Sequence, residues 1–138
     1  MTRIDVFEDA LRLAEGGRIS AGERRMSGVD RADGVDQGWQ LAAFHVETDA
    51  DLHADHWEMH PESDEVVCVW TGALRIVLRA EEGAGEEPPV TLRAGGAFVV
   101  PRGRWHRLEI EEPADLMSIA RRSGTRLERR AGWAGERA

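Results

Sequence analysis

The stretch HWEMHPESDEVVCVWTG, from His56 to Gly72, holds two of the five histidines of a 138-residue chain, and its first ten residues add four carboxylates. In a strand, side chains at i, i+2 and i+4 share a face. Read as extended backbone, the stretch puts His56, Glu58 and His60 on one face and Trp57 and Met59 on the other. Glu65 shares a face with Val67 and Val69 in the same way. A polar group on an apolar face costs roughly 1–3 kcal/mol when nothing satisfies it, so these positions call for partners.

Short β-rich runs surround this stretch. They are WQLAAFHVE (39–47), LHADHWEMH (52–60), EVVCVW (65–70), ALRIVLRA (73–80), PVTLRA (89–94), AFVVP (97–101), WHRLEIE (105–111) and ADLMSIARR (114–122). Even spacing with Gly, Pro and acidic turns predicts an all-β sandwich or barrel, and no βαβ alternation points to a doubly wound sheet. Gly72 falls between two runs, where a tight hairpin needs a residue that tolerates positive φ. Pro101 and Gly103 bracket the turn into the strand of His106. EEGAGEEPP (81–89) reads as a solvated hairpin connection. Upstream, DVFEDALRLA (5–14) carries Val6, Phe7, Leu11 and Leu13, a pattern that predicts a short amphipathic helix ended by Gly16 and Gly17. Residues 19–38 read as an irregular, Gly-rich arm. The organisation expected is helix and arm over 1–38, barrel over 39–122, and a tail over 123–138 that frays or packs loosely. The Arg-rich run RRSGTRLERR (121–130) reads as surface charge.

Bulk properties narrow the function. The formal charge of −8 does not suit a phosphate backbone, so nucleic acid is excluded as the expected partner. Cys68 is the single cysteine, which removes an internal disulfide framework. No apolar run has the length of a membrane span and MTRIDVFEDA has no signal-peptide layout, so a cytoplasmic protein without a membrane partner is expected. Every basic residue is Arg, so no lysine is present for Schiff-base chemistry.

In WHRLEI, His106 shares a face with Leu108 and Ile110, while Trp105, Arg107 and Glu109 point the other way. A lone inward His is ordinarily a satisfied core residue. Imidazole and carboxylate donors on neighbouring inward faces are, in contrast, the set a divalent metal needs. His45 shares a face with Leu41 and Ala43, and nothing in its spacing assigns it a role. Trp57, Trp70 and Trp105 are expected on the outer face, in packing or a subunit contact rather than a substrate site. Cys68 is expected there as a small apolar filler.

Two segments resemble the conserved motifs of the cupin superfamily. In HPESDEVVCVWTG, Glu65 is followed by six residues and then Gly72; in GGAFVVPRGRWH, Gly95 leads to Pro101, Gly103 and His106 with five, one and two residues between. The resemblance covers about Trp39 to Arg121 and implies a single-domain jelly-roll β-barrel and, by family habit, a homodimer. It further implies a divalent metal (Fe, Mn, Ni or Zn) held by His60, Glu65 and His106. Three positions depart from the pattern: Glu58 stands where the family carries its first His, Leu52 where the first motif often opens with Gly, and Ile110 where the second often closes with Asn. Glu58 is then a fourth ligand or, unbound, a general base, and His56 is an alternative for the first-His role. The implied function is a metal-dependent enzyme of oxygenase, isomerase or lyase type acting on a small organic substrate such as an organic acid, sugar or polyketide-like molecule. The other reading is a non-catalytic binding or sensing cupin, with or without metal.

Overall fold

The computed structural model describes residues 3–24, 38–83 and 85–131. Among these residues it holds nine strands and no α-helix: β1 (Ala10–Leu13), β2 (Ile19–Gly22), β3 (Trp39–Val46), β4 (His56–Met59), β5 (Glu65–Leu78), β6 (Val90–Arg93), β7 (Ala97–Val100), β8 (His106–Ala120) and β9 (Arg126–Arg129). All pairings between them are antiparallel. β8 is the central strand. Its second half pairs with β3 on one side and β5 on the other, and its first residue, His106, pairs with Glu58 of β4. β1 and β2 extend the sheet beyond β3, β9 extends it beyond β4, and β6 and β7 both pair with β5. The result is a curled, barrel-like sheet around Val46, Val67, Val69, Leu74, Ile76, Leu92, Val100, Ala114 and Leu116.

β5 and β8 are each one strand where the punctuation of the sequence suggests two. Gly72 makes no hairpin. It has φ of 77° and lies in β5 where the register against β8 shifts. The shift changes which residues face inward: Glu65, Val67 and Val69 are buried before it, Leu74 and Ile76 after it. A β-bulge does this by inserting an extra residue into one strand. Glycine is required there twice over, because a Cβ at position 72 would lie 2.0 Å from the Pro113 carbonyl oxygen.

Three expectations are corrected. The N-terminal helix is absent: residues 5–9 make a single turn on Asp5, and Leu11 and Leu13 then pair as β1 with Leu41 and Trp39. Gly16 and Gly17, at φ of 85° and 88°, turn β1 into β2 instead of capping a helix. Part of the arm is therefore strand, and its residues 25–37 lie outside the described residues. The tail does not fray from position 123, because β9 pairs with β4 from His56↔Arg129 to Met59↔Arg126. LHADHWEMH, finally, is extended only from His56; Asp49–Leu52 forms a 3-10 turn.

The tryptophans differ in exposure. Trp57 is 7% exposed and lies beneath the guanidinium groups of Arg79 and Arg107, at 5.6 and 5.3 Å from its ring. Its packing is thus satisfied within the chain. Trp70 is exposed and meets Phe7 edge-on.

Candidate metal centre

Four of the sequence-predicted residues converge. Glu58 comes from β4, His60 from the residue just after it, Glu65 from the start of β5 and His106 from the start of β8. One ligand atom from each lies within 4.8 Å of every other. The Nε2 of His106 is 2.9 Å from Glu65 Oε1 and 3.7 Å from Glu58 Oε1. The Nε2 of His60 is 3.3 Å from each of the same two oxygens. Metal–nitrogen and metal–oxygen bonds are about 2.0–2.2 Å, so two ligands of one ion sit roughly 3–4 Å apart. The donor set is two imidazoles and two carboxylates at that spacing, and it fits a divalent first-row metal.

The imidazoles are held with Nε2 inward. His106 Nδ1–H donates to the Arg104 carbonyl at 3.1 Å, and His60 Nδ1 is hydrogen-bonded to the buried Thr125 hydroxyl at 2.8 Å. Such partners fix ring orientation and raise ligand basicity. The loops carrying the two motifs are tied together: Gly103 N–H donates to the His60 carbonyl at 2.9 Å, and Arg102 N–H to Asp64 Oδ1 at 2.7 Å.

Electrostatics keep both carboxylates ionised. Burial alone would raise the pKa of Glu65, but His106, His60 and then the Arg122 charge outweigh it and hold it well below the usual carboxylate range. The same opposition leaves Glu58 at about 2. Burial alone would lower His106, yet its contacts with Glu58 and Glu65 raise it to about 10. His60 moves upward for the same reason.

A cavity of about 360 Å³ reaches this cluster, with Phe44, Val46, Leu52, Val67, Leu108 and Leu116 on its walls. Exposed Asp51, His53 and Leu127 lie at its mouth. His56 lines the cavity too, but its Nδ1 is held 2.9 Å from Asp55 Oδ1 and it is not among the four converging residues. His45 is exposed and bonded to Asp115 and Glu47, away from the cavity.

Sequence reasoning missed Arg122, taking it with its neighbours for surface charge. It is 7% exposed. Its Nη2 donates to Glu65 Oε2 at 3.2 Å and to Ser118 Oγ at 3.1 Å, and its Nη1 lies 3.5 Å from Glu58 Oε2. A signal was present: Leu116, Ser118 and Ala120 are the inward face of β8, and one further step of two reaches Arg122. Thr125 left no comparable signal.

A curled β-sheet with imidazole and carboxylate donors clustered beside a cavity defines a class of small β-barrel proteins built around a buried polar centre. The chain belongs to the cupin family: a family model described as the cupin domain matches residues 44–120, more than half of the chain. Among curated proteins no sequence match is found. Among solved structures, a cupin-2 domain containing protein from Shewanella frigidimarina is 26% identical with a TM-score of 0.48, covering 72% of this chain and 85% of that one. Bacillus subtilis oxalate decarboxylase, a protein with Mn(II) centres, is 20% identical with a TM-score of 0.50; the match covers 66% of this chain and only 23% of that one. Hydroquinone 1,2-dioxygenase from Sphingomonas sp. TTNP3 is 16% identical with a TM-score of 0.46, covering 58% and 57%. At 20% identity the likeness to oxalate decarboxylase concerns the fold alone.

Proposed function

We propose that the protein is a metal-dependent enzyme that acts on a small organic molecule in the cavity, with a divalent ion held by Glu58, His60, Glu65 and His106. The observation that carries this reading is the convergence of those four donors beside a ligand-sized cavity that Glu58, Glu65 and His106 line. When bound, the ion supplies Lewis acidity or a site for dioxygen activation. The chain's own residues do the rest. Arg104 and Thr125 fix the imidazoles, and the apolar walls exclude water and orient the substrate. Glu58 is the part-exposed member of the set and faces the cavity. It serves as ligand, and its depressed pKa suits that role better than that of a general base, which works best when its pKa lies near the operating pH. Oxygenase, isomerase and lyase chemistries are all compatible with this donor set, and Fe, Mn, Ni and Zn are all suited to it. We take the working form to be a cytoplasmic homodimer.

Metal analysis of protein purified without added metal, followed by titration with Zn²⁺ and Mn²⁺, tests the reading. One ion per chain is expected. His60→Ala and His106→Ala should each weaken binding by more than the roughly 10–100-fold that loss of a supporting hydrogen bond costs. Unchanged metal content in both variants would remove the proposed ligand set. Turnover of a small-acid and enol panel in each metal form then separates an enzyme from a binding protein.

A further inference from the structure

Arg122 is the buried charge that this reading leaves unused, and its placement is specific. Both carboxylates divide their oxygens in the same way. The Oε1 atoms of Glu58 and Glu65 face the imidazole nitrogens, and the Oε2 atoms face the Arg122 guanidinium. Arg122 is thus a positioning residue: it turns one oxygen of each carboxylate away from the metal position and holds the other toward it. Ser118, from the inward face of β8, accepts from Nη2, the same nitrogen that donates to Glu65. Arginine is the suitable cation for this task, since its planar fork reaches two carboxylates at once and stays charged when buried.

We infer that Arg122 sets the charge of the loaded centre so that the cavity takes a small monoanion with an apolar body. This inference rests on the metal-binding reading above. Two carboxylates, one guanidinium, one divalent ion and two neutral imidazoles leave one net positive charge. A buried net charge is unfavourable unless a counter-charge joins it, so an incoming carboxylate or enolate is favoured over a neutral molecule of the same shape. Without Arg122 the loaded centre would be neutral and that preference would shrink. The walls define the rest of the ligand. Phe44, Val46, Leu52, Val67, Leu108 and Leu116 supply apolar wall that suits an aliphatic or aromatic body, with Asp51, His53, His56, Arg107 and Ser118 as the polar groups in the same lining.

The test uses Zn²⁺-loaded full-length protein and pairs of acids and amides matched in shape: acetate and acetamide, isobutyrate and isobutyramide, benzoate and benzamide. Calorimetry gives the acid-over-amide affinity ratio for wild type, Arg122→Lys and Arg122→Met. The ratio should fall at least about tenfold in Arg122→Met and be retained in large part in Arg122→Lys. Should the Met variant not fold, Arg122→Gln reads the same ratio. An equal ratio in wild type and the neutral variant, or no binding of any acid to Zn²⁺-loaded wild type, overturns the inference alone. Failure of wild type to take up Zn²⁺ overturns the metal reading and this inference with it.

Discussion

Gly72→Ala isolates the bulge that lets one strand serve both the site and the core. Two costs add. A Cβ on left-handed backbone, here with φ of 77°, costs about 1–2 kcal/mol. The new methyl would also lie 2.0 Å from the Pro113 carbonyl oxygen and 2.8 Å from Ala114 Cα, so β5 and β8 must part. Forced overpacking of that kind costs roughly 1–3 kcal/mol. The sum is about 2–5 kcal/mol, and at this chain length a loss of that size lowers Tm by roughly 7–17 °C. Gly95→Ala is the control, because Gly95 has φ of 88° and no atom within 4 Å of its added Cβ, so it bears the backbone cost of about 1–2 kcal/mol alone. Urea unfolding of both variants, with Tm from calorimetry, measures the difference. If Gly72→Ala costs no more than Gly95→Ala, the close approach of the strands is not what requires glycine, and the bulge argument fails.

Two further outcomes are expected from the site. Thr125→Val keeps the shape of the side chain but removes the partner of His60 Nδ1, and should weaken Zn²⁺ binding roughly 10–100-fold in calorimetric titration without a change in fold; unchanged affinity would show that His60 needs no such support. In metal-free protein, stability should peak between about pH 4.5 and 6.5. His106 is raised from 6.5 to about 10, so its contribution is complete below pH 6.5 and is lost as the pH climbs toward 10. Glu58 is lowered from 4.5 to about 2, so its contribution is complete above pH 4.5 and is lost as the pH falls toward 2. Urea midpoints across pH 3–10 check this, and His106→Gln should flatten the alkaline limb; a wild-type profile level from pH 6 to 10 would contradict the assigned His106 contacts.

What the sequence could convey depended on whether local periodicity or distant pairing decided each element. His106 and Glu65 were legible because each interrupts an inward apolar face, and a polar group there must be satisfied. The strand count was less legible. Gly72 and the run EEPAD (111–115) look like turns, yet they are points where two paired strands bend together, and only the partner strand distinguishes a bulge from a hairpin. The N-terminal segment is too short for its apolar spacing to separate a period of 3.6 from one of two. The free edge of β3 decided for the strand. β9 has no alternation at all: all four of its residues are exposed, and it is extended because the backbone of β4 needs a neighbour.

The two features that set this chain's site apart belong together. By the cupin resemblance, position 58 is where the first His would stand. A carboxylate there can ligate a divalent ion as an imidazole does, but it adds a negative charge to a buried cluster. Three imidazoles, one carboxylate and a divalent ion carry one positive charge; two imidazoles, two carboxylates and the same ion carry none. In the proposed loaded centre Arg122, 3.5 Å from Glu58 Oε2, would restore that charge from a place outside both motifs. Motif reading alone reaches Glu58 as a fourth ligand but not Arg122, because Arg122 lies outside both motifs.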